Sequence, residues 1–105
     1  MKESNIFNNI PKNLKDELFE DIIKTENLKI ERIVSYGHTS PKDGWYEQEN
    51  NEWVIVLKGE AVLSFEGSKD VKLNAGDYLN IAAFVKHKVS WTLPNAETIW
   101  LTIHY

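Results

Sequence analysis

Alternation of apolar and polar residues is the feature that most narrows the folds open to this chain. Lys86, Lys88, Ser90 and Thr92 alternate with His87, Val89, Trp91 and Leu93. Ile99, Leu101 and Ile103 alternate with Thr98, Trp100 and Thr102. Ala61, Leu63 and Phe65 alternate with Glu60, Ser64 and Glu66, Val62 being the exception. Successive side chains of a strand point to opposite faces, so a period of two marks a half-buried strand. Shorter pieces begin at Leu28-Lys29-Ile30-Glu31 and at Val71 and Leu73, and Trp53-Val54-Ile55-Val56-Leu57 is apolar on both faces. Turn chemistry punctuates them at Lys58-Gly59, Glu66-Gly67-Ser68, Asn74-Ala75-Gly76-Asp77 and Leu93-Pro94-Asn95. Short strands spaced about eight to twelve residues apart predict an all-β sandwich or barrel.

One segment reads differently. Leu14, Leu18 and Ile22 are four apart, and Phe19 and Ile23 widen the stripe, which predicts a helix over 14–24. Pro11 and Asn13 sit at its start, Asp16 and Glu17 fall in its first turn, and Asn27 ends it. The expected organisation is a segment 1–27 whose helix packs on a β unit spanning 28–105. A chain of 105 residues with four Trp, four Tyr and four Phe has room for one domain with one modest core.

Charge and composition exclude several functions. The formal charge is −4, and eleven lysines accompany a single arginine, Arg32, with no basic stripe. Phosphate backbones are read by clustered Arg and Lys, so nucleic acid is not an expected partner. No apolar run is long enough to span a bilayer and Met1-Lys2-Glu3-Ser4-Asn5 carries no apolar leader, so a cytoplasmic protein with no membrane partner is expected. There is no cysteine, hence no disulfide and no thiolate chemistry. No nucleophile elbow and no glycine-rich phosphate loop are present.

Two spacings carry a resemblance. Glu52, six residues, then Gly59 fits the second half of G-x(5)-H-x-H-x(3,4)-E-x(6)-G. Gly76, ten residues, then His87 fits the frame of G-x(5)-P-x-G-x(2)-H-x(3)-N. These are the two motifs of the cupins. Trp45-Tyr46-Glu47-Gln48 with Glu52-Trp53-Val54, His87 to Thr92, and Trp100 to Tyr105 more narrowly resemble a group of small single-domain bacterial cupins. The resemblance implies a cupin jelly-roll β-barrel of two sheets, here with one short N-terminal α-helix. It also implies a divalent transition metal (iron, manganese, zinc or nickel) held by two His and a Glu of the first motif and a His of the second.

The departures from those motifs bear on the site. With a spacer of four before Glu52, the paired histidine positions hold Trp45 and Glu47; with three, they hold Tyr46 and Gln48. Ala82, Phe84 and Trp91 stand at the Pro, Gly and Asn positions of the second motif, leaving Glu52 and His87 as retained ligands. Residues two apart on a strand share a face, so Trp45 and Glu47 point one way, Tyr46 and Gln48 the other. The register with Glu47 inward is preferred, because an anionic ligand compensates a cation better than an amide does. The expected metal set is then Glu47, Glu52 and His87. Trp45, Tyr46, Gln48 and Trp91 are the expected pocket residues, giving apolar walls and a phenol. Blander readings stand beside these: His87 as a satisfied core residue beside Val89 and Trp91, and Glu47-Gln48-Glu49-Asn50-Asn51-Glu52 as a solvated acidic loop. His38 and His104 rank below His87 as ligands.

Two function classes follow. One is an enzyme with a mononuclear Glu/Glu/His metal site acting on a small molecule. The other is a metal-free barrel that binds a small ligand, or a regulator, without catalysis. The same carboxylates and imidazole could also do acid–base work unaided. A homodimer is expected, because the strand at 53–57 has more apolar faces than a barrel interior uses, and because the resemblance implies it.

Overall fold

The alternating segments fold as strands. In the computed structural model, which describes residues 1–105, the chain runs β1 (Leu18–Lys24), β2 (Lys29–Ser35), β3 (Glu52–Lys58), β4 (Glu60–Phe65), β5 (Val71–Asn74), β6 (Tyr78–Ile81), β7 (His87–Thr92) and β8 (Thr98–His104). A five-stranded sheet has the order β1-β2-β8-β3-β6, and a three-stranded sheet the order β5-β4-β7. Every pairing is antiparallel. This is the two-sheet all-β architecture that the period and the turns predict.

The helix expected over 14–24 does not form, and the fold contains no helix. Leu18–Lys24 is instead β1, with Leu18 opposite Val34 and Lys24 opposite Lys29. A spacing of four is also an even number, so Leu14, Leu18 and Ile22 would share one face of a strand as readily as one face of a helix. Phe19, Ile22 and Ile23 favour strand. The edge of β2 offers amides and carbonyls that need partners. The register shifts between Asp21 and Ile23. The first 27 residues thus give a sheet strand and an arm, not a helix laid on a barrel.

That arm is held by the one arginine. Arg32, on β2, is 7% exposed. Its Nη1 donates to the carbonyls of Ile6 (3.0 Å) and Asn8 (2.6 Å), and its Nε to Glu20 Oε1 (2.6 Å). A guanidinium with several donors can satisfy peptide carbonyls and a carboxylate together, as an ammonium cannot in one plane.

Between the sheets Val54, Val56, Ala61, Leu63, Leu73, Ile81 and Trp100 form the core. Gly59 joins β3 to β4 with φ of +90°, and a Cβ there would lie 2.4 Å from Thr98 Oγ1 and 2.8 Å from Thr98 Cα. Only glycine fits so close an approach. On β7 the clean alternation is interrupted. Leu63 pairs with Val89 and Val62 with Trp91, which leaves Ser90 as an extra residue. One inserted residue moves everything after it to the other face. Trp91 therefore points outward, and Thr92 is buried. No helix of the chain is long and apolar enough to cross a membrane.

Candidate functional site

The site lies at the end of the two-sheet interior where polar side chains replace apolar ones. β8 pairs with both β2 and β3, setting Lys29 and Glu52 opposite His104, and Glu31 and Val54 opposite Thr102. Residues directly opposite in an antiparallel pair share a face. Here that face is the inner one, and the apolar alternates Ile30, Leu101 and Ile103 lie on the outside of the sheet. The inward polar residues line a cavity of about 260 Å³ whose other wall is apolar, with Ile33, Val54, Leu63, Ile81, Val89 and Trp100.

The fourth side comes from β7 and the segment beside it. Tyr46 N donates to His87 O at 2.8 Å, and His87 N to Tyr46 O at 3.0 Å. Tyr46 and His87 therefore share a face, with ring centroids 5.9 Å apart. Gln48, two residues on, faces the same way, and its backbone carbonyl accepts from Phe84 N at 2.7 Å. Glu47 points away and is exposed. The main-chain bonds to β7 decide the register, and side-chain charge does not enter. So the positions that match the family's paired histidines hold Tyr46 and Gln48, and the preference for Glu47 inward is corrected.

Of the residues singled out from sequence, Tyr46, Gln48, Glu52 and His87 line the cavity, and Glu47, Trp45 and Trp91 do not. Trp45 is covered by the Lys88 ammonium at 4.5 Å, and Trp91 has Lys72 at 5.8 Å. These indoles belong to the outside of the small sheet. Two lining residues were ranked low or passed over, His104 and Glu31. His104 lies on the polar register of β8, where it shares one face with Thr98, Trp100 and Thr102, and Glu31 lies on the inward register of β2 with Lys29. The apolar register at Ile99, Leu101 and Ile103 drew attention away from it.

Within the cavity, imidazoles and carboxylates alternate. His87 Nδ1 donates to Val85 O at 2.8 Å, and its Nε2 lies 3.1 Å from Glu52 Oε1. Gln48 Nε2 donates to the same Oε1 at 3.2 Å. His104 Nε2 is 3.5 Å from Glu31 Oε1 and 4.0 Å from Glu52 Oε2. Thr102 Oγ1 donates to Glu31 at 3.4 Å, and Lys29 Nζ stands 3.6 Å from it. Burial alone would lower the His87 pKa, but the bond to Glu52, the Val85 carbonyl and the Glu52 charge outweigh it and hold the pKa above its usual range. Burial alone would raise the Glu31 pKa, but His104, Lys29 and Thr102 together hold it below its usual range. One wall thus offers an imidazole that keeps its second proton to higher pH than usual, and another a carboxylate that ionises at lower pH than usual.

The fold implies a divalent metal at this place, and the donor set does not fit one. No three His, Cys, Asp or Glu side chains converge as a ligand group. Two of the four family positions hold Tyr46 and Gln48. The expected trio is not brought together, since Glu47 is on the opposite face from Glu52 and His87.

Comparison with known proteins agrees with the architecture. The chain matches the cupin domain family model over residues 33–104. Among solved structures, a protein from Ralstonia eutropha JMP134 named "putative mannose-6-phosphate isomerase" is 37% identical, with TM-score 0.92, covering 99% of this chain and 97% of that one. A cupin superfamily protein from Desulfitobacterium hafniense DCB-2 is 19% identical, with TM-score 0.75 and coverage of 90% and 82%. An RmlC-like cupin from Methanocaldococcus jannaschii, with a double-stranded β-helix fold, is 18% identical, with TM-score 0.73 and coverage of 91% and 85%. No curated protein gives a significant match. With the Glu52–Gly59 and Gly76–His87 frames seated on a two-sheet barrel and the family model covering most of its length, this chain belongs to the cupin domain family.

Proposed function

We propose that this protein binds a small molecule in the barrel cavity and transfers protons on it without a metal, with His87 as the acid and a cavity carboxylate as the base. The observation that carries this reading is the pairing of opposite tendencies in one cavity. Glu52 favours the protonated form of His87, and His104, Lys29 and Thr102 favour the ionised form of Glu31. Groups whose environments push their pKa values apart are the signature of an acid and its base. A hydroxycarbonyl compound suits such a pair. The carboxylate takes the proton from the carbon next to the carbonyl, and His87 protonates the carbonyl oxygen. Returning the proton to the former carbonyl carbon, while the neighbouring enediol hydroxyl gives its own proton back to His87 and becomes the new carbonyl, completes an isomerisation, the class of reaction in the name of the relative from Ralstonia eutropha.

The test is solvent exchange. Aldoses and ketoses incubated with the protein in D2O are followed by NMR for deuterium at the carbon beside the carbonyl. The expected result is incorporation that His87→Asn and Glu31→Gln each reduce by about 100-fold or more. Incorporation unaffected by either substitution, or absent across the panel, would overturn the acid–base assignment.

We further propose that two copies associate through the outer face of the large sheet. Trp53, Ile55, Leu101 and Ile103 lie side by side there by register, and Tyr78 stacks on Trp53 with centroids 5.6 Å apart. Tyr78 is 66% exposed and Ile23 48%. A contiguous apolar face of this kind is the usual mark of an interface.

A further inference from the structure

The cavity contains a buried donor with no protein partner, Trp100 Nε1, and a buried nitrogen, His104 Nε2, whose only polar neighbours are the carboxylates of Glu31 and Glu52 at long range. They sit four residues apart on the inner face of β8. A buried donor left unpaired is costly, so native cores seldom keep one without a use. The indole N–H can only donate, and it therefore asks for an oxygen acceptor. His104 Nε2 stands between the carboxylates of Glu31 and Glu52 and can donate or accept according to its state.

The charged residues on the lining narrow the ligand further. Glu17, Glu31 and Glu52 are acidic, and the basic Lys29 and His87 beside them are already engaged, Lys29 facing Glu31 at 3.6 Å and His87 facing Glu52 at 3.1 Å. Arg32 is engaged with the N-terminal arm on the outer face. With no helix in the fold, no helix N-terminus is available to receive an anion. The volume of about 260 Å³ falls just below the usual range for drug-sized ligands, about 300–1,000 Å³, and half of the wall is apolar.

We propose that the cavity is built for a neutral, oxygen-bearing ligand, a polyol or hydroxycarbonyl compound, and that it rejects the phosphate ester of the same compound. This rests on the acid–base reading of the same cavity and adds the ligand class. A ligand oxygen accepts from Trp100 Nε1, and ligand hydroxyls donate to Glu31 and Glu52. Carboxylates are good acceptors for hydroxyl donors and repel a phosphate. The phosphate in the name of the 37% identical relative has no counterpart among the residues here.

Matched pairs test it: D-mannose against D-mannose 6-phosphate, and glycerol against glycerol 3-phosphate, titrated into 15N-labelled protein. The indole N–H of Trp100 is the reporter. The expected result is a saturable shift of that signal with a neutral member, and binding of its ester at least about tenfold weaker. Glu31→Gln should narrow the gap, and Trp100→Phe, which keeps an aromatic ring and removes the donor, should weaken the neutral member severalfold, read in that variant from the backbone amide signals. An ester that binds as tightly as its parent overturns the proposal, and so does a Trp100 signal that no neutral compound moves. The acid–base reading fails separately, in deuterium incorporation that persists in His87→Asn.

Discussion

His87 and Glu52, 35 residues apart in the chain, meet in the cavity through one nitrogen and one carboxylate oxygen 3.1 Å apart. Nδ1 of His87 faces the Val85 carbonyl at 2.8 Å, and a carbonyl can only accept, so that nitrogen carries a hydrogen. Nε2 then meets Glu52 Oε1 at 3.1 Å, in a place where His87 is 5% exposed, and this contact favours the protonated ring.

A pH dependence follows from that contact. The His87 pKa is raised above 6.5 in the folded state. Its stabilising contribution is therefore fully present below the unfolded value and is lost as pH rises through the folded one. Imidazole NMR should show His87 titrating above 6.5, and Glu52→Gln should lower that titration. Chemical denaturation between about pH 6 and 8 should show stability falling with pH in the parent and less so in Glu52→Gln. A His87 that titrates below its ordinary value would contradict the role given to the Glu52 contact.

Chelator treatment should change nothing. Dialysis against EDTA is expected to leave the thermal midpoint and the tryptophan fluorescence where they were. A bound ion present at a hundred times its Kd contributes about 2.7 kcal/mol, worth about 10 °C in a domain of this size. A fall of that order would restore a metal to the cavity.

Phe84→Gly should stabilise the fold. Phe84 occupies the glycine position of the second motif and keeps a positive φ of 65°. Its ring is 63% exposed, so little burial is lost with it. The left-handed conformation costs a side-chain-bearing residue about 1–2 kcal/mol, partly offset by the larger unfolded-state entropy of glycine. A rise of a few degrees in thermal midpoint is expected by calorimetry, and a fall would show that the ring has a contact worth more than the strain.

Arg32→Met should free the arm. The substitution keeps the stem and removes the donors to Ile6, Asn8 and Glu20. A loss of about 1–3 kcal/mol in denaturant unfolding is expected. Limited proteolysis should cut before Leu14 faster than in the parent, with the remainder still β in far-UV circular dichroism. Unchanged cleavage would mean that apolar contacts alone hold the arm.

Light scattering should report twice the chain mass of 12.2 kDa at micromolar concentration. Leu101→Lys places a charge in the centre of the outer apolar face and should give the single-chain mass with an unchanged β spectrum. A parent protein that is already monomeric would remove the interface.

Strands and turns were legible because their signals are local. Side chains alternate with period two wherever a strand has one buried face, and Gly59 and Gly76 mark turns by conformational need. The frame of Glu52, Gly59, Gly76 and His87 was likewise readable as spacing alone, and it identified the family. What the linear order left open turns on which partner a segment meets. A spacing of four at Leu14, Leu18 and Ile22 serves helix and strand alike, and the free edge of β2 decided for strand. Tyr46 and Gln48 face inward because residue 46 hydrogen-bonds to residue 87, a bond across 40 intervening positions in a chain whose local pattern favours neither register. Ser90 is an extra residue only against β4, so Trp91 leaves the interior for a reason no alternation can show. His104 and Glu31 enter the site because β8 lies between β2 and β3, which turns the polar register inward around a cavity and the apolar one outward. Period is a property of the chain, but face and register belong to the pairing, and pairing exists only in three dimensions.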